Sequence, residues 1–407
     1  MKILFLNTFY APNTIGGTEA VLQGIVEGVA DRGIEVVVLA TSQQKGLHQE
    51  TVNGVRVWRV GIRNLFWPSP AVPRTLSSQA LWHLIDTYNP AMGEVLEKVL
   101  KIERPTVASV HNLAGWSASA WSAFLKAKVP VVQVLHDHYL LCPRTTMFKN
   151  GRSCIGQCAS CRVLRLSHGT LSRSVSGVVG VSRYILARHR QEGLFHGVPR
   201  QSVIYNARRP SDLCLEGRLL DHPTIKRREG RVRFGFIGAL HPGKGVEDLI
   251  RAFLKGAPSA SELWIAGAGR KDYEETLRRL SQGAPVRFTG RMRPDDFYPY
   301  IDVVVAPSRW NETFSLVVME AMSYGKSVIA TAVGGIPELV GDNKTGLLVG
   351  PGRIEELSQA LRKIAGSPDL RESFGSLGKE RSAFFLDHEG FVEKHLQVLR
   401  LVAHDGL

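Results

Sequence analysis

The sequence predicts an α/β chain made of two doubly wound halves, each a largely parallel sheet covered by helices. Short apolar runs alternate with segments of helical period along nearly the whole chain, and glycine-bearing loops fall after strand candidates and before helix candidates. The 40 glycines are too many for a helical bundle but suit many tight strand-to-helix turns. With 407 residues, 44% of them apolar and 22% charged, the chain holds core material for two or three domains, a domain taking roughly 150 residues. Disorder, collagen and a small disulfide scaffold are excluded by the same figures.

In the first half, strand candidates occur at 2–6, 35–40, 55–58, 106–110, 131–135, 177–181 and 202–205. Between the first two, Val21, Ile25 and Val29 form one helical stripe with Leu22 and Val26 beside it. The spacing predicts a helix over 18–32, capped by Thr18 and stopped at Gly33. The second half repeats the plan, with strands at 232–237, 263–266, 286–289, 302–306, 327–330 and 346–349 and helices such as 246–254 and 315–323. The polar stretch 206–230, rich in Arg, Pro and Lys, reads as the boundary. Open sheets of this kind bind ligands at the carboxyl ends of their strands, so the two halves are expected to face a central cleft.

The formal charge is +14, from 51 basic and 37 acidic side chains. It is uneven: residues 1–207 hold 22 basic and 11 acidic side chains, whereas 208–407 hold 29 and 26. The opening MKILFLNTFYAP reads as a first strand rather than a signal peptide, because Asn7 interrupts it and no small-residue cleavage site follows. No run approaches the roughly 18 apolar residues of a membrane span. Five cysteines, an odd number, argue against a fully paired secreted framework. A cytoplasmic chain is expected, peripheral at the inner face of the cytoplasmic membrane.

Three glycine loops carry the chemistry: Gly16-Gly17-Thr18-Glu19; Gly238 to Gly245, which contains Lys244; and Gly334-Gly335-Ile336-Pro337-Glu338. Glycine lets a backbone approach a ligand closely, and the first N–H groups of the following helix lack internal partners, so phosphate can accept them. Steric need at tight turns explains any one loop equally well. The dinucleotide fingerprint G-x-G-x-x-G is absent from the first turn and the G-K-[ST] phosphate loop is absent throughout, which argues against NAD and an ordinary ATPase. Glu312 follows the strand at 302–306 and Glu320 lies eight positions on, inside the next helix. Carboxylates so placed can accept hydrogen bonds from different parts of an elongated, hydroxyl-rich ligand; a surface glutamate plus a salt-bridged one is the plain alternative.

The ordered set is Gly16-Gly17, Gly-x-Leu-x-x-x-Lys-Gly (238–245), Leu-x-Ile-Ala-Gly-x-Gly (263–269), Ala-Pro-Ser (306–308), Glu-x7-Glu (312–320) and Gly-Gly-Ile-Pro-Glu (334–338). Together these motifs resemble a family 4 retaining glycosyltransferase of the GT-B fold, over residues 1 to about 390. The resemblance implies two Rossmann-like domains: an acceptor-binding one over 1–207, joined by a returning C-terminal helix at about 390–407, and a nucleotide-sugar-binding one over 208–389. It implies transfer of a hexose from a nucleotide diphosphate sugar, UDP- or GDP-linked, with retention and without a required cofactor or metal. The absence of Asp-x-Asp agrees with the last point. Lys244 would pair with the diphosphate, Glu320 with the ribose and Glu312 with the transferred sugar. Backbone N–H groups of Phe314, Ser315 and Leu316 would meet sugar or phosphate oxygens, Gly16, Gly17 and Gly238 would line the donor, and His111 would sit near sugar and acceptor. Catalysis is expected of His111, Lys244 and Glu312. Ala239 stands where the family usually has an arginine for the diphosphate; Arg208, Arg291 or Arg309 would replace it.

Cys142, Cys154, Cys158 and Cys161 lie within twenty residues, and short thiolate spacings of this kind suit a structural zinc site, with disulfides or free thiols as alternatives. His136, His138 and His168 are further candidate ligands. From 142 to 200 there are ten basic side chains and one acid, Glu192. The insert 142–165 and its basic surroundings read as a solvated surface or as a platform for an anionic membrane and a glycan or polyprenyl-diphosphate-linked acceptor in polysaccharide biosynthesis. Phe66, Trp67, Trp82, Trp116 and Trp121 read mainly as core, and nucleic acid is not an expected partner. Two rival functions are kept: a sugar-nucleotide epimerase of similar architecture, and a catalytically weak binding or scaffold homologue.

Overall fold

The computed structural model describes residues 1–14, 16–68, 74–209, 213 and 230–405. The chain divides into two compact units. One comprises Met1–Met147, Cys154–Asn206 and Glu389–Leu407; the other comprises Phe148–Ser153 and Ala207–His388. Most of the boundary stretch expected over 206–230 lies outside the described residues.

The strands in chain order are β1 (Lys2–Asn7), β2 (Glu35–Ser42), β3 (Leu47–Val52), β4 (Val55–Gly61), β5 (Val107–Val110), β6 (Val131–Leu135), β7 (Phe148–Lys149), β8 (Arg152–Ser153), β9 (Gly177–Gly180) and β10 (Arg200–Val203). All but β7 and β8 form one sheet in the order β10-β9-β6-β5-β1-β2-β4-β3. Pairing is parallel throughout except β3 with β4. A parallel sheet covered on both faces needs near-continuous apolar strands, and Ile3, Leu4, Phe5 and Leu6 are indeed all fully buried. Trp82, Trp116 and Trp121 are core residues here.

β3 was not expected from the apolar pattern, because the residues HQET between its end residues Leu47 and Val52 are polar and none of the strand is buried. Its signal is the Asn53-Gly54 pair, at φ of 49° and 79°, the left-handed turn that joins two-residue hairpins. The same pair recurs at Asn150-Gly151, φ 53° and 74°, and makes the hairpin β7–β8. The helix expected over 18–32 is Gly17–Ala30: Gly16, not Thr18, precedes its first turn, and the Gly16 N–H donates to Glu19 Oε2 at 2.8 Å. Gly33, at φ 71°, does end it. β10 lies two residues earlier than expected.

The second unit holds β11 (Val232–Ile237), β12 (Ser261–Ala266), β13 (Val286–Gly290), β14 (Val303–Ala306), β15 (Ser327–Thr331) and β16 (Leu347–Val349). They form a wholly parallel sheet in the order β13-β12-β11-β14-β15-β16. The helix Val246–Gly256 lays Val246, Leu249, Ile250 and Phe253 onto this sheet beside Phe234, Val303 and Ile329. Full burial of each large side chain is worth about 2 kcal/mol. Among the described residues no helix is long and apolar enough to cross a membrane.

Candidate active site

In the second unit, strand order runs outward in both directions from β11 and β14. Open α/β sheets bind ligands at the carboxyl ends beside such a reversal. The loop after β11 carries Gly238 and Lys244, and the loop after β14 carries Ser308, Trp310 and Glu312 before the helix Leu316–Ser323. Chain topology therefore delivers the lysine and the glutamate to one place.

Lys244 Nζ lies 2.7 Å from Glu312 Oε1. The same oxygen accepts from Ser308 Oγ at 2.7 Å and from Trp310 Nε1 at 2.8 Å. Burial works against ionisation of Glu312, but Lys244 and the two neutral donors hold its carboxyl below the usual range. The loops are fixed by close backbone approach. A Cβ on Gly245, at φ 70°, would fall 1.9 Å from Pro307 O. One on Gly334, at φ 57°, would fall 1.9 Å from Glu312 O, the oxygen that accepts the Gly335 N–H at 2.7 Å. Two of the three glycine motifs thus have a steric reason, and both clamp the Lys244–Glu312 pair, whereas a Cβ on Gly16 would meet only Glu19 Oε2 at 3.9 Å. Ser315 caps the next helix through its hydroxyl, which accepts from Val318 N at 3.4 Å. Phe314 packs edge-on against Phe385, and the Leu316 N–H belongs to a first turn that has no intrahelical acceptor.

Glu320 is buried within that helix. Its Oε1 lies 3.3 Å from Arg208 Nη2 and its Oε2 accepts from Tyr298 OH at 3.1 Å. Burial pushes its carboxyl up, opposed by Arg208 and Tyr298. Of the arginines expected to replace the one missing at Ala239, Arg309 forks onto Asp248 and Arg291 is exposed. Arg208 faces Glu320, and its buried Nε has no hydrogen-bond partner among the described residues.

In the first unit the reversal lies between β1 and β5. The Gly16-Gly17 loop follows β1, and His111 stands directly after β5. His111 is buried with both ring nitrogens engaged: Nδ1 with His136 Nε2 at 2.8 Å and Nε2 with Ser109 Oγ at 3.0 Å. Burial pulls His111 well below its ordinary value and His136 down to about 4, so both are neutral at pH 7. Beside them, Asn112 accepts from Thr8 Oγ1 at 3.0 Å and donates to Asp137 Oδ2 at 2.8 Å. Burial raises the Asp137 carboxyl to about 6. Thr8, Asn112 and Asp137 were not singled out from sequence as site residues; their signal was position, each within two residues of the end of an apolar strand.

Among the described residues, Cys142, Cys154, Cys158 and Cys161 form no disulfide. Cys142 is hydrogen-bonded to Cys161, which lowers the Cys142 thiol to about 6 and raises that of Cys161; Cys158 also meets Cys161. Cys154 donates its backbone N–H to Met147 O at 2.7 Å. Among the described residues no group of three or more His, Cys, Asp or Glu is disposed to hold a metal ion. Of the histidines offered as further ligands, His136 Nε2 meets His111, His138 Nε2 meets Tyr184 OH at 3.2 Å and His168 Nδ1 meets Leu140 O at 3.0 Å.

Residues 231–367 match the family model described as glycosyl transferases group 1, and residues 16–207 match the glycosyl transferase 4-like domain. An uncharacterised 42.6 kDa protein in the cps region of Klebsiella pneumoniae is 31% identical over 340 residues, covering 83% of this chain and 87% of that protein. Sucrose-phosphate synthase from Thermosynechococcus elongatus shares the fold with a TM-score of 0.78 at 18% identity, covering 98% of both chains. HepE from Anabaena, solved in complex with UDP and glucose, aligns with a TM-score of 0.70 at 22% identity over 98% of this chain and 99% of that one. With two parallel sheets, strand-end glycine loops and these matches, the chain belongs to the group 1, family 4-like glycosyltransferases of the GT-B fold.

Proposed function

We propose that this glycosyltransferase moves a hexose from a nucleotide diphosphate sugar with retention of configuration and without a metal. The observation that carries the reading is the meeting of Lys244 and Glu312 at 2.7 Å, at the carboxyl ends of the two strands where the order reverses. The ammonium stabilises the leaving diphosphate, Glu312 accepts from hydroxyls of the sugar, and Glu320 accepts from the ribose. Arg208 supplies the cation that Ala239 lacks. In a front-face displacement the departing phosphate takes the acceptor proton, so the protein's part is positioning and charge stabilisation. The complex of HepE with UDP and glucose supports a uridine nucleotide as the first donor to test.

The acceptor in this reading is a lipid-linked or cell-surface polysaccharide precursor presented at an anionic membrane. Support comes from the relative in a cps region and from one face of the first unit. There, Thr87 Oγ1 donates to Leu164 O at 3.0 Å and brings the helix Leu76–Ile85 beside Ala159–Leu164. Leu84, Tyr88, Val163 and Leu166 stand exposed, with Arg144, Arg162 and Arg173 exposed in the same stretch of chain. Exposed apolar side chains and exposed cations together suit an anionic bilayer.

The test is a panel of UDP- and GDP-sugars, first by thermal shift and then by release of nucleoside diphosphate with and without a polyprenyl-diphosphate-linked glycan. One nucleotide class raises the melting temperature, and release depends on acceptor and survives EDTA. Nucleotide-sugar conversion without acceptor and without nucleotide release would favour the epimerase instead.

A further inference from the structure

We infer that Trp310 is a positioning residue for the donor site: it holds Glu312 in place when Lys244 turns to the diphosphate, and the hairpin β7–β8 holds Trp310. This inference rests on the donor-site reading given above.

Trp310 touches both members of the pair. Its Nε1 donates to Glu312 Oε1 at 2.8 Å, and its ring centroid lies 5.1 Å from Lys244 Nζ. The lysine loop is shaped around the indole. The N–H groups of Arg309 and Trp310 donate to Gly243 O at 2.8 and 3.2 Å, His241 stacks on the ring at 5.0 Å, and a Cβ on Gly243 would lie 2.3 Å from Trp310 Cε3. Phe148 meets the ring edge-on at 6.3 Å, while Ser153 Oγ donates to Arg309 O at 3.1 Å. Both belong to the hairpin of the cysteine-rich insert, which groups with the second unit.

A diphosphate competes with Glu312 for the Lys244 ammonium. Once that donor leaves, Glu312 keeps two neutral ones, Ser308 Oγ and Trp310 Nε1. A hydroxyl can rotate its proton away, whereas an indole N–H points along one fixed direction set by the ring. The ring is fixed by His241, Gly243 and Phe148, so the direction in which Glu312 offers its lone pairs to sugar hydroxyls is set by Trp310.

The test is calorimetric titration of the full chain with UDP, UDP-glucose, GDP and GDP-mannose, read as the affinity gained by adding the sugar to the nucleotide. Trp310→Phe keeps an aromatic ring and removes the N–H. It is expected to cut that gain by about tenfold and leave affinity for the bare nucleotide within about twofold, the scale of one hydrogen bond to a charged group. In a Glu312→Gln background the same substitution should change the gain by less than about twofold, because the two residues act as one. Equal losses for nucleotide and sugar nucleotide, or independent effects in the double variant, overturn the inference. If Trp310→Phe fails to melt cooperatively, Phe148→Ala carries the test with a loss of about threefold in the sugar gain, and an unchanged gain overturns it. Wild-type chain that binds none of the four ligands defeats the donor-site reading itself, whereas wild-type binding with an unaltered gain in the variants defeats only the role of Trp310.

Discussion

Lys244 and Glu312 are 68 positions apart and meet at 2.7 Å. The buried carboxylate therefore depends on the cation for its charge balance as well as the reverse. Lys244→Met should abolish most transfer, by about a hundredfold or more, the usual cost of losing one charged contact to a leaving group. It should also lower stability at pH 7 by about 2 kcal/mol, below the figure for fully buried pairs because the side chains are 24% and 13% exposed. Glu312 has a depressed value in the fold, so its ion-pair stabilisation is present above the ordinary carboxylate range and is lost as pH falls through the folded value. Urea titrations should thus show the variant and wild type converging below about pH 4. A gap that persists at low pH would mean that Lys244 stabilises by packing.

Arg208 approaches Glu320 with Nη2 and leaves Nε buried without a partner among the described residues. Arg208→Ala should weaken UDP-glucose binding by about tenfold, and Arg208→Lys should recover little, since an ammonium cannot replace two fixed N–H directions. Installing the family's arginine by Ala239→Arg in the Arg208→Ala chain should restore binding. Failure to restore it, with both chains folded, would remove Arg208 from the role of substitute cation.

Gly334 and Gly352 make a matched pair for testing the clamp on Glu312. Their φ values are 57° and 72°, but a Cβ at Gly352 meets nothing within 4 Å while one at Gly334 falls on Glu312 O. Gly352→Ala should cost about 1 kcal/mol for the left-handed backbone alone. Gly334→Ala should cost about 2 kcal/mol more, because strain concentrates where the backbone cannot yield. It should also remove the affinity gained from the sugar. Equal denaturation midpoints for the two variants would show that the loop around Glu312 relaxes freely.

Much of this organisation is legible in the residues. The apolar runs at 232–237 and 302–306 announce strands, and loops that begin on Gly238 and Ala306-Pro307-Ser308 place Lys244 and Glu312 at their ends. What apolar periodicity hides is β3, whose polar residues carry no pattern and whose only mark is Asn53-Gly54. The role of Trp310 is hidden for a different reason: tryptophan in a loop reads as packing, and its bond to Glu312 exists only once Gly243 has made room for the ring. The cysteine spacing C-x11-C-x3-C-x2-C suggested a closed metal site. That spacing does not reveal that the Asn150-Gly151 turn folds the residues between Cys142 and Cys154 into a hairpin grouped with the second unit, while Cys142 and Cys158 both meet Cys161.

The two units should respond differently to acid. Burial lowers seven histidines of the first unit: His83, His136 and His189 to about 4, His138, His168 and His395 to about 3, and His111 well below its usual value. A histidine held neutral takes up its proton only on unfolding, so the stability it contributes is complete above about pH 6.5 and drains away as pH falls toward 4. Asp86, raised to about 7, and Asp137, raised to about 6, act in the opposite sense: they keep a proton in the fold and destabilise it as pH rises from about 4. Seven imidazoles outweigh two carboxyls. In the second unit His241, partly exposed beside Lys244, is lowered as well. Pulse proteolysis with peptide mapping should therefore show the segments around β1, β5 and β6 cut at pH 5 under urea concentrations that leave β11–β16 intact, and His395→Leu should move that loss to lower pH. Simultaneous cleavage of both units at every pH would contradict the assignment of neutral imidazoles to the first unit's core.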